Sequence, residues 1–371
     1  MTHQGKITVA AVARPLKRNM VNYLSKSAMV ERVYNPNLFS EDSTQPFEMI
    51  ERPTFLIGSE RSGTTLLRLM LDSHPNMLFW AEFEYATDLV SDAGNFPNLP
   101  DYYQWLQSNR NFLMDGPLID RRLSYPALVN SFLKQFQQFS DDKTENSRPK
   151  PLIGATVHHN FDRLLHIWPD AKFIHIVRDG RDVSRSCVNM GWAGDGWHGA
   201  KRWLTAEERW EERRRWVPAE GRLEVRFERL VENTTETLGA ICEFMGDRYH
   251  PDMMNYAVGT DYGLPDASLV NQWHTKLSKR EIQLIEARIA PLLVDRDYRL
   301  SGLPAIRVSK VDRMLLKIQN KWGILSRRAR KYGIPLMSAD LIARQLKLRR
   351  LSDRINKEFS VIDIKSMKQS W

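Results

Sequence analysis

The sequence predicts an α/β fold in which a parallel sheet is covered by helices on both faces. Three apolar runs, at Thr54–Ile57, Lys172–Val177 and Leu223–Phe227, each precede a segment with apolar residues at helical spacing. Strands that alternate with helices imply a parallel sheet, and the connecting helices cover both of its faces. No internal repeat is visible at the periods of stacked-repeat proteins, which argues against a solenoid.

The first strand and helix unit runs from Thr54–Ile57 through a glycine-containing turn into Thr64–Asp72 (TTLLRLMLD). A short strand is predicted next, at Met77–Trp80. Further along the chain, the strand at Leu223–Phe227 is followed by a helix predicted at Thr234–Met245. The order of elements is therefore that of a single α/β domain.

Three segments depart from this pattern. Gly94–Pro126 mixes aromatic residues with Pro and Gly, and Ser140–Pro151 (SDDKTENSRPKP) is predicted to be an exposed polar connector. Gly191–Trp216 carries five tryptophans, first on a glycine-rich loop and then on a charged helix. These tryptophans either cover a site or anchor the helix to the core.

The C-terminal part carries the basic excess of the chain. The whole chain has a net charge of +9, whereas Ser301 to Trp371 holds 17 Lys or Arg and 5 Asp or Glu, a net of +12. Apolar residues recur at steps of three and four from Val308 to Leu325 and, with some slippage, from Leu341 to Ile355. This pattern predicts two basic amphipathic helices whose apolar faces pack on the main domain. Their charge is either a solvated face or a surface for an acidic polymer or a membrane.

Composition narrows the class of protein. A length of 371 residues and 42% hydrophobic content are typical of a soluble globular chain. Neither a signal peptide nor a membrane span is predicted. The two cysteines, Cys187 and Cys242, are too few for a disulfide framework and lack the spacing of a zinc site. A cytoplasmic location is expected from these observations.

A phosphate-binding loop is predicted at Gly58–Thr65 (GSERSGTT), between a strand and a helix. In that context, the amides of the first helical turn and the helix dipole bind phosphate oxygens, and the glycines allow a close approach. Thr64 replaces the lysine that a nucleoside triphosphatase loop carries after its second glycine, and Arg61 supplies a cation inside the loop. The missing lysine argues against a P-loop kinase or NTPase, which stays an alternative together with a non-catalytic basic module that binds anions.

Two motifs resemble those of one family. The run ERSGTTLLRLMLDSHP is similar to the 5′-phosphosulfate loop of sulfotransferases that use 3′-phosphoadenosine 5′-phosphosulfate (PAPS). It resembles the branch with a loop arginine, which holds many bacterial enzymes and the tyrosylprotein sulfotransferases. Phe173–Ser186 (FIHIVRDGRDVSRS) resembles the family's 3′-phosphate motif. Glu224–Gly246 and Gln272–Lys276 are similar to later family segments, of which the second closes over the nucleotide.

The resemblance implies a sulfotransferase with a P-loop-type parallel sheet. The expected organisation is an N-terminal extension at 1–50, a catalytic domain at 51–302 and a basic helical extension at 303–371. PAPS is implied as the co-substrate, with no metal required, and no nucleic-acid partner is expected. The acceptor is a hydroxyl of a carbohydrate, a peptide tyrosine or a small metabolite. The residues expected to bind PAPS are Arg61, Ser62, Gly63, Thr64, Thr65, Arg178, Ser186 and Lys276.

Catalytic roles follow from the same resemblance. Arg61 is expected to stabilise charge on the leaving phosphate oxygen, because it is a permanent cation beside the loop amides. Glu82 is the predicted general base, since it stands where tyrosylprotein-type sequences have their catalytic Glu. Glu84, two residues on, is expected to share its strand face and to compete for the role. His158 and His159 are the alternatives, because histidine is the base in the cytosolic branch of the family.

Overall fold

The computed structural model describes residues 48–141, 150–260, 262–346 and, with gaps, several residues between 348 and 362. The expected N-terminal extension up to residue 47 and most of the predicted polar connector, 142–149, lie outside these described residues.

A single five-stranded sheet forms the centre of the described part of the chain. Its strands lie in the order β2-β3-β1-β4-β5, and every neighbouring pair is parallel, which confirms the predicted fold class. Strand β3 was not predicted, and β5 begins one residue before the predicted strand. The strands are β1 Thr54–Ile57, β2 Met77–Glu82, β3 Leu152–Val157, β4 Lys172–Val177 and β5 Arg222–Arg226.

Helices connect the strands and cover the sheet. In chain order they are α1 Thr64–Asp72, α2 Leu99–Leu106, α3 Arg110–Asp115, α4 Tyr125–Asp141, α5 Gly180–Asn189, α6 Gly196–Arg213, α7 Phe227–Glu232, α8 Thr234–Met245, α9 Tyr256–Gly259, α10 Trp273–Lys276 and α11 Lys279–Asp295. The helices predicted at Thr64–Asp72 and Thr234–Met245 are confirmed with the same bounds.

Two apolar clusters fill the space between the sheet and its helices. Phe55 and Ile57 belong to one cluster and Leu56 to the other, because successive side chains of a strand point to opposite faces. All four residues of β1 are buried, which explains why this strand is a continuous apolar run. The irregular segment Gly94–Pro126 contributes Tyr102 and Phe112 to the first cluster.

The strand order places a crevice at the centre of the sheet. After β1 the chain turns towards the β2 edge, whereas after β4 it turns towards the β5 edge, although β1 and β4 are neighbours. Open α/β sheets bind ligands where the connections diverge in this way, at the carboxyl ends of the strands. The loop at Gly58–Gly63 and the turn at Arg178–Asp179 both follow these two strands.

The end of β2 differs from the prediction. Glu82 is the last residue of β2, and the pairing with β3 shifts register between Trp80 and Glu82. Glu84 instead begins a 3₁₀ turn, Glu84–Ala86, and is buried, whereas Glu82 is exposed. The expectation that the two carboxylates share a strand face is therefore wrong, because the irregularity interrupts the alternation of side chains.

Two helices follow the α/β domain, α12 Lys310–Tyr332 and α13 Ile334–Gln345, so the predicted C-terminal helical extension is present. A reciprocal capping box between Ser309 and Asp312 starts α12. The second predicted helix ends at Gln345, and Ile355 lies in a small cluster with Ala343. None of the helices in the described ranges is both long enough and apolar enough to cross a membrane.

The way in which α12 contacts the domain also differs from the prediction. Its apolar residues Val311, Ile318 and Trp322 are exposed instead of packed on the domain. The opposite side of the helix makes the contact, where the Asn320 side chain accepts a hydrogen bond from the Gly194 amide at 2.7 Å. At this crossing a Cβ atom on Gly323 would lie only 2.5 Å from Gly194 Cα. The expectation that the apolar stripe packs on the domain is therefore wrong, since α12 docks through the opposite side, which carries Asn320, Gly323 and the buried Leu316.

Candidate active site

The loop that connects β1 to α1 has a backbone that requires glycine at two positions. Gly58 and Gly63 have φ angles of 146° and 96°. A Cβ atom on Gly63 would lie 2.3 Å from the Phe227 ring, and one on Gly58 would lie 2.3 Å from the Ile176 carbonyl oxygen. Arg61 also has a positive φ, 72°, which is uncommon for a residue with a side chain. The loop is thus held in one shape by β4 and α7.

The N-terminus of α1 faces this loop and suits an anion. Gly63 is the N-cap, so no side chain caps the helix, and the first turn contains no acidic residue. The free amides and the positive end of the helix dipole therefore attract negative charge. The hydroxyl of Ser62 is buried without a hydrogen-bond partner in the described part of the chain. A phosphate oxygen fits this set of unpaired donors.

The two predicted phosphate motifs meet at the crevice between β1 and β4. Arg61 Nε donates a hydrogen bond to Ser186 Oγ on α5 at 2.9 Å. Arg178 Nη1 donates to the Arg61 carbonyl oxygen at 3.2 Å. Residues that are 117 and 125 positions apart in the chain thus form one cationic cluster.

Arg178 is held from several sides. Its Nη2 atom donates to the Leu269 carbonyl oxygen at 2.7 Å, and its guanidinium lies 4.3 Å from the centroid of the Phe227 ring. Burial lowers the pKa of Arg178, although nearby carboxylates, Asp182 first, oppose this. Its Nε atom is buried and has no hydrogen-bond partner in the described ranges, so it is free to donate to a ligand.

The segment around α10 lies beside this cluster. The backbone amide of Trp273 donates to Asp182 Oδ1 on α5 at 2.8 Å, which ties α10 to the helix that follows Arg178. Lys276, at the end of α10, is exposed. Thr65 is also exposed, and its side chain hydrogen-bonds to Tyr262.

A histidine and a carboxylate adjoin the loop on the β3 side. The His158 Nδ1 atom lies 2.9 Å from Glu84 Oε1, which also accepts a hydrogen bond from the His158 amide at 3.0 Å. The other ring nitrogen, Nε2, lies 3.2 Å from Thr64 Oγ1, at the start of α1. Because the carboxylate can only accept, Nδ1 carries the proton and Nε2 is left as the acceptor.

The His158 and Glu84 pair is nearly enclosed, with side-chain exposures of 8% and 7%. Burial disfavours protonation of His158, but the hydrogen bond and the charge of Glu84 outweigh it, so the pKa of His158 is raised. Burial likewise opposes ionisation of Glu84, but the bonds from His158 outweigh it and lower the pKa of Glu84. The carboxylate therefore stays ionised beside the imidazole.

The other base candidates lie nearer to solvent. Glu82 is exposed, and its Oε2 atom accepts a hydrogen bond from Asn111 at 3.0 Å. His159 is 48% exposed and contacts Asp88 through Nε2 at 2.9 Å. His158 is the candidate whose side chain hydrogen-bonds to the phosphate loop.

A cavity of about 490 Å³ opens beside the loop and His158. The loop contributes Glu60, α12 contributes Asn320, and most of the remaining lining is basic or aromatic. These other lining residues include His158, His159, Trp192, His198, Lys201, Arg202 and Arg209. The cavity therefore favours a molecule that carries negative charge.

The five tryptophans of the segment after α5 divide between the two predicted roles. Trp203 and Trp210 are buried, at 0% and 2% exposure, and anchor α6 to the core. Trp192 is 39% exposed and lines the cavity. The guanidinium of Arg202 lies 5.0 Å from its ring centroid, and that of Arg61 lies 6.0 Å away.

The support that Glu84 gives to His158 was not predicted from the sequence, and neither were the cavity residues Glu60, Arg202 and Asn320. The apolar run before His158 is a signal that could have located the histidine, because side chains at the carboxyl end of a parallel strand face the ligand crevice. The contribution of Asn320 has no local signal.

Comparison with known proteins relates this chain to sulfotransferases. Residues 53–251 match the model of the sulfotransferase family. Protein-tyrosine sulfotransferase A of Caenorhabditis elegans is 24% identical over 221 residues, which cover 57% of this chain and 54% of that protein. An uncharacterized protein of Aquifex aeolicus is 26% identical over 212 residues, which cover 52% of this chain and 25% of that protein. The chain thus spans about half the length of the first of these relatives and a quarter of the second.

Two solved sulfotransferase structures also match this chain. The sulfotransferase domain from the olefin synthase of Synechococcus PCC 7002 has 22% sequence identity and a TM-score of 0.48, and the match covers 71% of this chain and all of that domain. Mouse sulfotransferase SULT7A1, solved in complex with PAP, has 14% identity and a TM-score of 0.40, with 73% of this chain and 90% of that one covered.

Proposed function

Because this chain belongs to the sulfotransferase family, we propose that it transfers a sulfuryl group from PAPS to an acceptor hydroxyl. The observation that carries the proposal is the contact between the loop after β1 and the start of the segment after β4. It joins Arg61, Ser186 and Arg178 in one cluster at the centre of the sheet. A nucleotide with phosphates at both the 5′ and 3′ positions matches two anion sites that lie side by side.

The donor end of the reaction falls to the loop. The amides at the start of α1 and the unpaired Ser62 hydroxyl would bind the 5′-phosphosulfate, with Thr64 and Thr65 at the same helix end. Arg61 would stabilise the charge that develops on the phosphate oxygen as the bond to sulfur breaks. Arg178 and Ser186 would bind the 3′-phosphate through charge-assisted hydrogen bonds. Lys276 remains a proposed second cation, and no metal is required by this scheme.

The proton of the acceptor hydroxyl needs a base at the loop, and the geometry favours His158. Its Nε2 atom is the unprotonated ring nitrogen and lies within hydrogen-bond distance of Thr64 on the phosphate loop, and the bond to Glu84 orients the ring. As the hydroxyl oxygen attacks sulfur, its proton passes to Nε2 and 3′-phosphoadenosine 5′-phosphate leaves. Glu82, predicted from the resemblance to tyrosylprotein-type sequences, is the second candidate.

The acceptor is proposed to be anionic. Lys201, Arg202 and Arg209 line the cavity beside His158, and Glu60 forms an ion pair with Arg202 at 2.5 Å. An acceptor molecule whose hydroxyl lies at His158 would therefore place its negative charges against the basic side chains of α6. An acidic carbohydrate or an acidic peptide meets this description, and the exposed Trp192 ring offers a flat apolar surface to either.

The proposed domain boundaries are those expected from the sequence, with a catalytic domain at 51–302. Ser301 supports this boundary because its amide and hydroxyl donate to Glu286 on α11 at 2.8 and 2.7 Å. The chain is thus tied to α11 at the end of the proposed catalytic domain, and just beyond it the Pro304 carbonyl oxygen accepts a further bond from Gln283 on α11 at 2.8 Å. The proposed cytoplasmic location is supported by Cys187 and Cys242, which are both buried and unpaired.

Nucleotide binding tests the proposal against the kinase and NTPase alternative. We expect calorimetry to give tight binding of 3′-phosphoadenosine 5′-phosphate and weak binding of ATP and 5′-AMP. Arg178→Ala should weaken the bisphosphate by about 2–4 kcal/mol, because a charge-assisted contact is lost, with little effect on 5′-AMP. Arg229→Ala, an exposed arginine on α7, is the matched control. Preference for ATP, or equal weakening of both adenosine nucleotides, would contradict the assignment.

A further inference from the structure

An apolar stripe on α12 faces away from the catalytic domain. Val311, Leu315 and Trp322 are 68%, 59% and 67% exposed, and Ile318 and Leu325 continue the same side of the helix at 46% and 47%. Their steps of three and four place them on one side of the helix. The high exposure of these five side chains shows that, in the described part of the chain, neither a neighbouring element nor the catalytic domain covers this side of the helix.

The contact with the domain uses the other side of α12. Leu316 is 6% exposed, Asn320 accepts the bond from Gly194, and Arg327 Nη1 donates to the Ala193 carbonyl oxygen at 2.6 Å. These residues follow each other at steps of four and seven, so they share a side that is roughly opposite to the stripe. The helix is therefore fixed in its orientation, and the stripe is held outwards.

Lysines run along one edge of the stripe. Lys310, Lys317 and Lys321 are exposed and recur at steps of seven and four. A helix that combines Trp and Leu on an apolar face with Lys beside it is typical of segments that lie in the interface of a membrane. The following helix, α13, exposes further apolar residues, namely Ile334, Leu341, Ile342 and Leu346.

Charge decides which occupant fits the stripe. The segment from Ser301 onwards has a net charge of +12, so two copies of it would repel each other across a shared interface. Residues 1–47 hold six Lys or Arg and three Asp or Glu, so they too would bring positive charge. An anionic lipid surface offers both acyl chains, into which the apolar stripe can insert, and negatively charged headgroups, which attract the lysines beside it.

We propose that the α12 stripe binds the surface of a membrane that contains anionic lipids. The helix lies parallel to the membrane plane, with Trp322 and its apolar neighbours inserted at the level of the headgroups and Lys317 and Lys321 at the lipid phosphates. The catalytic domain remains outside the membrane on the opposite side of α12. This binding requires no sulfuryl transfer, so it goes beyond the proposed function and can be tested independently of it.

Vesicle sedimentation tests the proposal with the full chain and no nucleotide or acceptor. We expect binding to vesicles of phosphatidylcholine with 30 mol% phosphatidylserine, in about 100 mM salt, and little binding to phosphatidylcholine alone. Leu315→Asn/Ile318→Asn/Trp322→Asn should reduce the partition coefficient at least tenfold by removing the apolar insertion. Lys317→Glu/Lys321→Glu should also reduce it at least about tenfold, because each basic residue near an anionic surface contributes roughly a factor of five.

A charge-matched control separates the stripe from net charge. Arg229→Glu/Arg248→Glu makes the same change in charge on exposed positions of the catalytic domain and should bind vesicles as the unmodified chain does. Circular dichroism and bisphosphate binding confirm that each variant is folded. The proposal is overturned if the unmodified chain ignores the anionic vesicles, or if the control weakens binding as much as the α12 lysine variant. It is also overturned if sedimentation velocity shows a dimer that the stripe variant dissociates.

Discussion

His158, the proposed general base, lies between the Glu84 carboxylate and the hydroxyl of Thr64. Hydrogen bonds join an orienting carboxylate, an imidazole and the phosphate loop. Its parts come from three places in the chain: the turn after β2, the end of β3 and the start of α1. A buried carboxylate that orients an imidazole in this way also keeps the proton on the ring nitrogen that faces it.

The first prediction separates the two base candidates. His158→Gln should lower kcat by roughly 10²–10⁴, since it removes the acceptor for the hydroxyl proton, whereas binding of the bisphosphate nucleotide should persist. Glu82→Gln, at an exposed position, should change kcat by less than about tenfold on the same argument. His159→Gln is the matched control for a neighbouring imidazole. Retention of activity in His158→Gln together with its loss in Glu82→Gln would assign the base to Glu82.

The second prediction concerns pH. Only the neutral form of His158 can accept a proton, and its pKa is raised above the ordinary value of 6.5, so kcat/KM should fall as the pH drops through that raised pKa. Glu84→Gln removes the charge that favours the protonated ring. The acidic limb of the pH profile should therefore move to lower pH, with a lower plateau because the ring is oriented less well. A limb that stays in place in Glu84→Gln would show that another group controls it.

The residue scale is also where the sequence was least informative. The loop glycines and Arg61 could be identified because they are contiguous and flanked by a strand and a helix. Glu84 and His158 are 74 positions apart, and their contact depends on the turn that ends β2. An alternating strand pattern predicted a shared face for Glu82 and Glu84, and the register shift after Trp80 cancelled it.

At the scale of elements, the crossing of α12 and the loop after α5 couples the extension to the cavity. Gly194 and Gly323 approach so closely that neither accommodates a side chain without a shift. The same loop carries Trp192, and Asn320 of α12 lines the cavity together with it. The periodicity of the sequence predicted α12 correctly but assigned the wrong side to the domain. Apolar periodicity does not predict a contact side that carries a glycine, an asparagine and an arginine and only one buried apolar residue, Leu316.

The third prediction follows from this crossing. Gly323→Ala should strengthen α12 as a helix, because alanine has the higher helix propensity, yet it places a Cβ atom 2.5 Å from Gly194 Cα. Overpacking of ~1–2 kcal/mol should displace the Trp192 loop and raise the acceptor KM by about 5- to 30-fold. Binding of the bisphosphate should not change, since its proposed site lies at β1 and β4.

Ser326→Ala, on an exposed position of the same helix, is the control. An unchanged acceptor KM would indicate that the crossing is not coupled to the cavity.

At the scale of the molecule, the sheet and the extension contribute different parts of the proposed reaction. The proposed donor site is built from β1, α1, β4 and α5, which all precede Gly302. The proposed acceptor cavity has walls from the α/β domain and one from α12, since Asn320 lines it. The proposed acceptor site therefore extends across the predicted boundary at residue 302.

The last prediction is that truncation at Gly302 separates these two contributions. The chain is tied to α11 up to Ser301, so the remaining domain should fold and bind the bisphosphate with a Kd within about twofold of the full chain, which is well below 1 kcal/mol. Loss of Asn320 and of the bond from Arg327 to Ala193 should free the Trp192 loop, so that an anionic soluble acceptor binds at least tenfold more weakly. Removal of the +12 segment should also flatten the dependence of acceptor KM on salt.

The Leu315→Asn/Ile318→Asn/Trp322→Asn variant keeps the docked side of α12 and should retain the acceptor KM of the full chain. If it loses acceptor binding as the truncation does, the stripe itself acts on the acceptor. If the truncated chain does not fold, the extension is part of the core of the domain.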